Sequence, residues 1–476
     1  MNETNKNKKK KRKLNKIITI LLLVVVLILF GMIFYINIIP FIYTLIALIL
    51  MIGICFGLTI LNFRKKRILR IIGCFLSIIL ICVITLGEIY MFNTLGFLFN
   101  VTDGDYAIKT YNIIVLKDSN YDDIKDLNNK EIGVNESLIS ESYDKIENKI
   151  DKKIKVKYKK YEDVTSLVNG IKNNEVNAII LESSEIELLK EENVELYESL
   201  NNIYEIEIKN DIKDLKDAVN INKEPFNIYV SGIDTYGKIN ASSRSDVNMV
   251  LSINPKTEKI LITWIPRDYY VNINSSSYKD KLTHAGIYGI DSSIYAIENL
   301  LDIDINYYVK VNFTSVIEVV DLLEGVTVYN DESFYTIEGV YFKKGEITLN
   351  GEKALAFVRE RKNLAEGDVG RGKNQIKVLE SLMNKAMSPS IIKKYNSLLN
   401  SLDGAFVTNM NHATMFGFIR KEIESPRDWK IESNILSGTD SYEYTYTYKT
   451  TSLYCMKPNE DSVSKAKEKI NKVFEK

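Results

Sequence analysis

The feature that most constrains this chain is a series of three long apolar segments near its N-terminus. The first, "IITILLLVVVLILFGMIFYI" (17–36), directly follows the basic stretch "KNKKKKRKLNK" (6–16), and two more occupy 41–63 and 68–92. About twenty apolar residues span the hydrocarbon core of a bilayer. The first segment is too long for a cleaved signal peptide and lacks a small-residue cleavage site. The sequence therefore predicts three transmembrane helices.

The distribution of basic residues predicts the orientation of these helices. Basic segments stay in the cytoplasm, and the chain carries two of them here, 6–16 and "RKKR" (64–67). Placing both inside requires a hairpin after the first span, turning near Pro40, and an exit after the third. We therefore expect a multi-pass protein of the cell membrane with a cytoplasmic N-terminus and extracellular C-terminal domains. With only two spans, the large C-terminal part would lie in the cytosol.

Composition excludes several classes of function. The 476 residues call for two or three folded units, and 62 basic residues balance 62 acidic ones. This balance argues against general nucleic-acid binding, which needs a basic surface. Of the four cysteines only Cys455 lies outside the apolar segments, so we expect no intrachain disulfide in the external part. The cysteines and the two histidines show no zinc-type spacing and no arrangement for a Cys/His nucleophile.

Residues 105–208 alternate between strand-like and helix-like segments, which predicts a small accessory α/β domain. Short β-branched runs at 111–117 and 176–182 suit buried strands. The stretch "DDIKDLNNKEIGVNES" (122–137), with 168–182, resembles one lobe of extracellular solute-binding proteins. The residues that carry this resemblance are Asp126, Leu127, Gly133 and Val134. The second lobe is missing, so the alternative is a spacer or a domain that docks partners, and no ligand is assigned. Residues 209–224 are predicted to be a linker.

From residue 225 to 476 the pattern predicts a larger domain with a central mixed sheet flanked by helices. A strand at 226–234 is followed by a hairpin of 246–255 and 259–271, and later segments such as 351–361 and 373–387 have helical spacing. The overall prediction is a mixed α/β protein with three parts. These are a basic tail with three transmembrane helices (1–92), the accessory domain (105–208) and this C-terminal domain (225–476).

Charged and polar residues of the C-terminal domain fall at the predicted ends of strands and helices. They are Asp234, Arg244, Asp246, Arg267, Asp268, Arg359, Arg361, Asp368, Arg371 and Gln375. Residues 368, 371 and 375 share one face of a helix. Arginine binds phosphate oxygens bidentately, and magnesium prefers carboxylates together with substrate phosphates. The set predicts an anion site with its own metal, although each Arg–Asp neighbour alone could be an ordinary surface ion pair.

The stretch "EGDVGRGKNQ" (366–375) also approximates the G-x-x-x-x-G-K frame of a nucleotide-binding loop. Asn374 stands where that frame needs Ser or Thr to hold magnesium. A nucleotide enzyme is therefore the weakest hypothesis.

Four segments in order carry a resemblance to the LytR-CpsA-Psr family. They are 227–273, 281–289, 306–328 and "ITLNGEKALAFVRERKNLAEGDVGRGKNQ" (347–375). The resemblance implies a phosphotransferase that moves a glycan polymer, of the teichoic acid or capsular polysaccharide type, from an undecaprenyl-pyrophosphate carrier to peptidoglycan. The product would be a phosphodiester link in the cell wall.

The resemblance also implies roles for individual residues. Asp234 and Asp246 correspond to acids that hold Mg²⁺ or Mn²⁺, and Asp368 corresponds to an acid proposed as a base. The substrate-binding set is Arg244, Arg267, Arg359, Arg361, Arg371 and Gln375, of which the five arginines together with Asp368 form the catalytic set. At Asn374 the chain departs from the family, which usually has arginine there.

Two other functions stay open at this stage. One is a pyrophosphatase, in which water replaces the sugar hydroxyl. The other is a non-catalytic polyprenyl-lipid-binding protein of wall assembly or regulation, with 105–208 recruiting wall-assembly partners. A polyprenyl tail would need a long apolar groove, which we expect between the sheet and the helices at 292–303, 314–324 and 376–387, unless these faces are simply core.

Overall fold

The computed structural model describes residues 2–101, 106–135, 143–211, 219–233, 243–273, 279–387, 406–449 and 451–475. The chain divides into two compact units. Unit 1 holds the N-terminal residues through Asn100 and also 410–428, and unit 2 holds the remaining described residues.

Unit 1 contains three helices long and apolar enough to cross a membrane. They are α1 (Asn2–Ile36), α2 (Phe41–Phe63) and α3 (Arg67–Val101), with candidate spans Lys13–Ile36, Phe41–Phe63 and Arg67–Phe92. Pro40 directly precedes α2, where its missing N–H costs no helical hydrogen bond. Most apolar side chains of these helices are exposed, which suits lipid and not water. These segments anchor the chain in a membrane.

Polar side chains hold the three helices of unit 1 together. Asn62 is fully buried, and its Nδ2 donates to Thr19 Oγ1 at 3.2 Å and to Ser77 Oγ at 3.0 Å. Such bonds between helices stabilise bundles in lipid, where water cannot compete. A further helix of this unit, α13 in chain order, spans His412–Glu424.

The first sheet of unit 2 lies in the predicted accessory region. Its strands are β1 (Tyr106–Leu116), β2 (Glu131–Asn135), β3 (Lys157–Tyr161), β4 (Ala178–Glu182) and β5 (Leu200–Asp211), in the order β3-β2-β4-β1-β5. The helices are α4 (Tyr143–Asp151), α5 (Val164–Lys172), α6 (Ser183–Glu192) and α7 (Val194–Glu198), with a short 3-10 helix at Ile124–Leu127. Alternation along β1 places Tyr111, Ile113 and Val115 in one core cluster and Ile114 in the other.

The second sheet of unit 2 has six strands in the order β16-β11-β6-β7-β8-β17. They are β6 (Phe226–Ile233), β7 (Ser245–Asn254), β8 (Lys259–Trp264), β11 (Tyr307–Val311), β16 (Phe406–Thr408) and β17 (Lys430–Ile435). The pairs β6–β11 and β8–β17 are parallel, and the other pairs are antiparallel. This is the mixed central sheet that the sequence predicts.

Four small two-stranded sheets surround the central one. They pair β9 (Tyr270–Asn272) with β10 (Lys279–Lys281), β12 (Val326–Asn330) with β15 (Gly345–Leu349), β13 (Phe334–Tyr335) with β14 (Tyr341–Phe342), and β18 (Gly438–Tyr444) with β19 (Ser452–Pro458). Cys455 on β19 is completely buried.

Helices flank the central sheet and build two separate cores. They are α8 (Leu282–Tyr288), α9 (Ile290–Leu301), α10 (Phe313–Leu322), α11 (Gly351–Arg359), α12 (Gly367–Ala386) and α14 (Glu460–Phe474). Helices α9 and α14 pack in one cluster with Tyr229 and Leu261 of the sheet, whereas α10, α11 and α12 share another around Phe357. The face of α9 that was considered for a lipid groove is therefore core.

Two predicted elements end earlier than the sequence pattern suggests. The strand predicted at 259–271 stops at Trp264, two residues before Pro266, whose missing N–H interrupts a strand ladder. The helix predicted at 351–361 stops at Arg359, and Glu360 is extended with φ −65° and ψ 133°. The Glu360 carboxylate accepts hydrogen bonds from the backbone N–H groups of Arg361 and Asn363. These two hydrogen bonds stabilise the non-helical turn after α11.

Candidate anion-binding site

A cavity of about 370 Å³ lies beside the ends of β6, β7 and β11. Its charged and polar lining consists of Arg244, Asp246, Arg267, Asn312, Glu338, Arg359, Glu360, Arg361, Lys362, Arg371 and Gln375. Its apolar lining includes Val247, Phe313, Val316, Ile337 and Leu355. Among the described residues of the lining, six cationic side chains against three carboxyl groups make the pocket basic, as an anion site requires.

Asp246 and Arg267 form an ion pair in the lining of the pocket. Arg267 Nη1 donates to Asp246 Oδ1 at 2.8 Å, and the Thr283 hydroxyl donates to the same oxygen at 3.0 Å. Burial alone would raise the pKa of Asp246, but the guanidinium groups of Arg267, Arg244 and Arg371 outweigh it and lower this pKa to about 2. Asp246 is therefore ionised at neutral pH.

Arg371 enters the pocket from the second turn of α12. Its Nη2 lies 2.5 Å from Asp368 Oδ1, three residues earlier on the same helix. Burial lowers the pKa of Arg371, Asp368 opposes this effect, and neighbouring Arg267 adds to it. Asp368 is not among the residues that line the cavity. In this geometry Asp368 holds Arg371 in place.

The arginine pair at 359 and 361 lies where α11 ends. The Arg359 guanidinium carbon stacks 4.3 Å from the Phe313 ring centroid, and its Nη1 lies 3.6 Å from Glu338 Oε1. Because Glu360 between them is extended and buried, both flanking arginines reach the cavity.

Gln375 lines the pocket and forms hydrogen bonds through both the oxygen and the nitrogen of its side-chain amide. Its Oε1 accepts from Trp264 Nε1 at 2.9 Å, and its Nε2 donates to the Val358 carbonyl at 3.2 Å. Gln375 thereby connects β8, α11 and α12. The neighbouring Asn374 is buried, donates to the Phe357 carbonyl at 3.5 Å and does not line the cavity.

Two guanidinium groups in the pocket present buried donors that no described residue accepts. They include Nε of Arg371 and Nε of Arg267, and the latter lies 3.7 Å from Asp268 Oδ2, an ion-pair contact too long for a hydrogen bond. An unsatisfied buried donor costs about 1–3 kcal/mol, and more when it is charged. Anionic oxygens placed in the cavity would satisfy both donors, which is why we regard the pocket as an anion site.

The structure brings most of the predicted site residues together. Arg244, Asp246, Arg267, Arg359, Arg361, Arg371 and Gln375 all line one cavity. Asp368 lies behind Arg371, and Asp234 falls outside the described residues.

One described residue, Asp246, has the chemistry of a ligand for a metal that a bound phosphate would share. Asp246 is ionised and lines the pocket, and both of its hydrogen bonds described above are accepted by Oδ1. Magnesium binds through one or two carboxylates plus substrate phosphates, so Asp246 suits this role. In the part of the chain that the structure describes, no group of three or more His, Cys, Asp or Glu side chains could hold a metal on its own.

Sequence reasoning missed three residues that shape the site. Thr283 fixes Asp246, Phe313 supports Arg359, and Glu360 holds the turn between the arginines. Thr283 lies 37 positions from Asp246 and carries no recognisable motif of its own. Glu360 gave no signal either, because its role depends on backbone hydrogen bonds that form only where the helix ends at Arg359.

The fold and the pocket together define a membrane-anchored α/β protein with an arginine-rich pocket. Residues 192–470, more than half of the chain, match the family model described as the LytR_cpsA_psr family. The chain belongs to the LytR-CpsA-Psr family. The match begins at residue 192, inside the predicted accessory region, so the boundary between the domains at 105–208 and 225–476 stays a prediction.

Two relatives named as teichoic acid transferases agree with this assignment. The chain is 33% identical over 261 residues to the polyisoprenyl-teichoic acid–peptidoglycan teichoic acid transferase TagU of Bacillus licheniformis, covering 54% of this chain and 81% of that protein. It is 32% identical over 260 residues to TagU of Bacillus subtilis, again covering 54% and 81%. A crystal structure of Bacillus subtilis TagV aligns at 28% identity with a TM-score of 0.45, covering 53% of this chain and 98% of that one.

Proposed function

We propose that this protein is a phosphotransferase that moves a cell-wall glycan polymer from a polyprenyl-pyrophosphate carrier to peptidoglycan. The observation that carries the proposal is that the Nε donors of Arg267 and Arg371 are buried and make no hydrogen bond to any described residue. A pyrophosphate offers several anionic oxygens within a short distance, and arginine binds such oxygens bidentately. The relatives named as teichoic acid transferases support the same class of substrate.

The reaction would transfer the glycan-bearing phosphoryl group. A peptidoglycan sugar hydroxyl attacks the phosphorus atom that carries the glycan, and a new P–O bond forms. The bond from that phosphorus to the oxygen bridging the two phosphates breaks, so the polyprenyl phosphate leaves with the bond's electron pair. The hydroxyl proton passes to a base or to solvent. Negative charge grows on the leaving phosphate during this step.

The residues of this chain would stabilise that charge. Arg267 and Arg371 would contact the phosphate oxygens, and so would Arg359 and Arg361 at the end of α11. Gln375 keeps α12 in register with Val358, so Arg371 stays aligned with the arginine pair. Asp246, together with Asp234, would hold Mg²⁺ or Mn²⁺, which would neutralise developing phosphate charge.

For this acceptor the domains of unit 2 must lie outside the cell. We propose the three-span topology with a cytoplasmic N-terminus, supported by the basic segments 6–16 and 64–67. Labelling of an introduced Lys472→Cys with a membrane-impermeant maleimide on intact cells should succeed. Labelling only after lysis would contradict this topology.

Conservative arginine substitutions test the proposed activity. Alanine at 267 would leave the buried Asp246 charge without its partner, so Arg267→Lys and Arg371→Lys are better variants. Lysine keeps the charge but lacks the forked donors. We expect release of polyprenyl phosphate from a synthetic lipid-linked glycan by the full-length protein to fall on the order of 10²-fold.

The matched control is Arg427→Lys, which changes an arginine paired with Glu422 at 2.8 Å in unit 1. Turnover in this control should equal that of the wild type, and all variants should show the same unfolding temperature. Undiminished turnover in both pocket variants would contradict the assignment. If the reaction releases free glycan phosphate and forms no peptidoglycan adduct, the protein is a pyrophosphatase. If the protein binds the lipid and shows no turnover, it is a non-catalytic lipid-binding protein.

A further inference from the structure

The hairpin formed by residues 334–342, which we call the rim hairpin, has an unusually apolar outer surface. Tyr335, Ile337 and Tyr341 are 61%, 66% and 53% exposed, and the Tyr335 and Tyr341 rings lie 4.8 Å apart. Strand alternation directs their neighbours inward, so Phe334 and Phe342 are buried. The outer side chains are therefore not part of an incomplete core, because the inner side already supplies the core residues.

The rim hairpin is held firmly in this position. Phe334 and Phe342 pack against Phe357 of α11 with ring centroids 5.8 Å and 5.2 Å apart. The backbone N–H of Ile337 donates to Glu360 Oε2 at 2.8 Å. Glu360 is the same buried carboxylate that fixes the turn between Arg359 and Arg361. The exposed side chains are thus presented on a rigid support connected to the pocket wall.

The apolar surface continues from the rim hairpin into the pocket. Ile337 is mostly exposed, and it also lines the cavity next to Phe313 and Val316. A hydrocarbon chain that left the pocket across Ile337 would stay in contact with apolar side chains. This continuity favours a lipid surface as the partner, since a sugar would need hydrogen-bonding groups that Ile337 cannot offer.

The charge and the residue types of this region also favour a lipid surface as the partner. Lys343 and Lys344 follow the rim hairpin directly and are exposed, and the one acidic side chain of the hairpin, Glu338, lies 3.6 Å from Arg359 Nη1. Tyrosine favours the boundary between water and hydrocarbon, and lysines near a bilayer are attracted to anionic headgroups. The chain carries three candidate membrane helices, so a bilayer accompanies the protein wherever it is.

We propose that the rim hairpin docks on the surface of an anionic bilayer, with Tyr335, Ile337 and Tyr341 entering the headgroup region. The polyprenyl chain of the donor would then pass from the bilayer to the pocket across Ile337. The second statement rests on the proposed function, whereas the docking itself does not.

The first experiment tests docking without any substrate. Full-length Tyr335→Trp protein is reconstituted into phosphatidylglycerol-containing vesicles with or without brominated acyl chains. We expect bromolipid to quench the tryptophan emission of this variant beyond that of the wild type, whose own tryptophans supply the background. Tyr442→Trp is the control, because Tyr442 is also exposed and lies 6.1 Å from the ring of Tyr454 on a different hairpin. Equal quenching in the two variants, or none in Tyr335→Trp, overturns the proposal.

The second experiment separates docking from catalysis. In the double variant Tyr335→Ser/Tyr341→Ser, neither changed residue lines the cavity. Turnover of a long-chain donor in vesicles should fall, and turnover of a short-chain, water-soluble donor should stay at the wild-type value. If both donors are unaffected, the docking proposal fails while the proposed function stands. If the wild type turns over neither donor, the proposed function fails. Loss of binding to soluble glycan strands, with vesicle turnover intact, would assign the hairpin to glycan instead.

Discussion

At the scale of single residues, the site depends on which carboxylates line the cavity and which do not. Asp246 lines the cavity and is ionised because three guanidinium groups surround it. Asp368 contacts Arg371 on the same helix and does not line the cavity. The spacing of 368, 371 and 375 was visible in the sequence. Which of these side chains reach the pocket was not, because that depends on packing against Trp264 and Val358.

The two candidate roles of Asp368 make different predictions for Asp368→Asn. If Asp368 positions Arg371 through their ion pair, asparagine keeps the size of the side chain and an oxygen beside Arg371 but removes the negative charge. We then expect a modest loss of turnover and a pH–rate profile of unchanged shape. If Asp368 accepts the proton, the asparagine variant should instead lose most of its activity, and its pH–rate profile should lose the acidic limb. Steady-state kinetics across pH, with Arg371→Lys for comparison, distinguish these outcomes, and a vanished acidic limb would refute the positioning role.

At the scale of elements, the glycines of "EGDVGRGKNQ" serve helix packing. Gly367 has φ +54° at the start of α12, which suits glycine at the entry to the helix. A Cβ at Gly372 would lie 2.4 Å from the Trp264 ring. In a nucleotide-binding loop, glycine lets the backbone approach phosphate closely. Here glycine lets α12 approach the Trp264 ring closely, so the sequence resembles that loop for a different reason.

Gly372→Ala should destabilise the protein, although alanine favours helices more than glycine does. Trp264 is 1% exposed and cannot move away without disturbing Gln375. Overpacking of this kind costs about 1–3 kcal/mol, which exceeds the helix-propensity gain of about 1 kcal/mol. Thermal unfolding and tryptophan emission measure the effect. Gly370→Ala, whose Cβ would meet the Leu364 side chain at 3.2 Å, should have a smaller effect. Equal stability of both variants would contradict this packing argument.

Element types were largely predictable from the sequence, because strand and helix periodicities are local. The strands β4, β6 and β7 follow the predicted segments closely, whereas α12 begins at Gly367, six residues before the predicted helix at 373–387. Long-range features were not predictable. The rim hairpin consists of two-residue strands, too short for a periodic signal, and its position depends on the hydrogen bond between Ile337 and Glu360. Similarly, the sequence shows Pro266, but it gives no signal that β8 ends before this proline and that a separate strand, β9, follows.

At the scale of the whole molecule, the two sheets of unit 2 share buried charges. Lys310 on β11 is next to Val311 of the pocket wall, and burial lowers its pKa to about 8 against the opposing effect of Glu182 on β4. Glu182 also lies 3.5 Å from Lys109. Lys449 donates to the Glu162 carbonyl at 3.4 Å. The accessory region is therefore linked electrostatically to the strand that borders the pocket.

This shared cluster predicts a pH dependence of stability. Burial, and then the neighbouring Glu182, raise the pKa of Glu185 to about 8. The unfolded chain loses this proton near pH 4.5, whereas the folded protein keeps it to about pH 8. The contribution of Glu185 to the free energy of unfolding therefore falls as pH rises between these values. Each pKa unit is about 1.4 kcal/mol, so the fall is on the order of a few kcal/mol.

Glu185→Gln should reduce this fall, because glutamine does not ionise. Hydrogen exchange of β2 and β4 amides in the full-length protein at pH 5 and pH 8, corrected for intrinsic rates, measures the local stability. Exposed Glu175, which pairs with Lys159 at 2.7 Å, provides the control variant Glu175→Gln. A pH dependence that persists unchanged in Glu185→Gln would show that another group is responsible.

The complete burial of Cys455 has a practical consequence. Burial raises the pKa of its thiol to about 12, so almost none of it is thiolate at neutral pH, and thiolate is the form that alkylating reagents attack. The other three cysteines lie within the candidate membrane spans. A single cysteine introduced on the surface of unit 2 would thus be the readily modified thiol of that unit. Spin labels, fluorophores and crosslinkers can be attached there one site at a time, without first replacing any native cysteine.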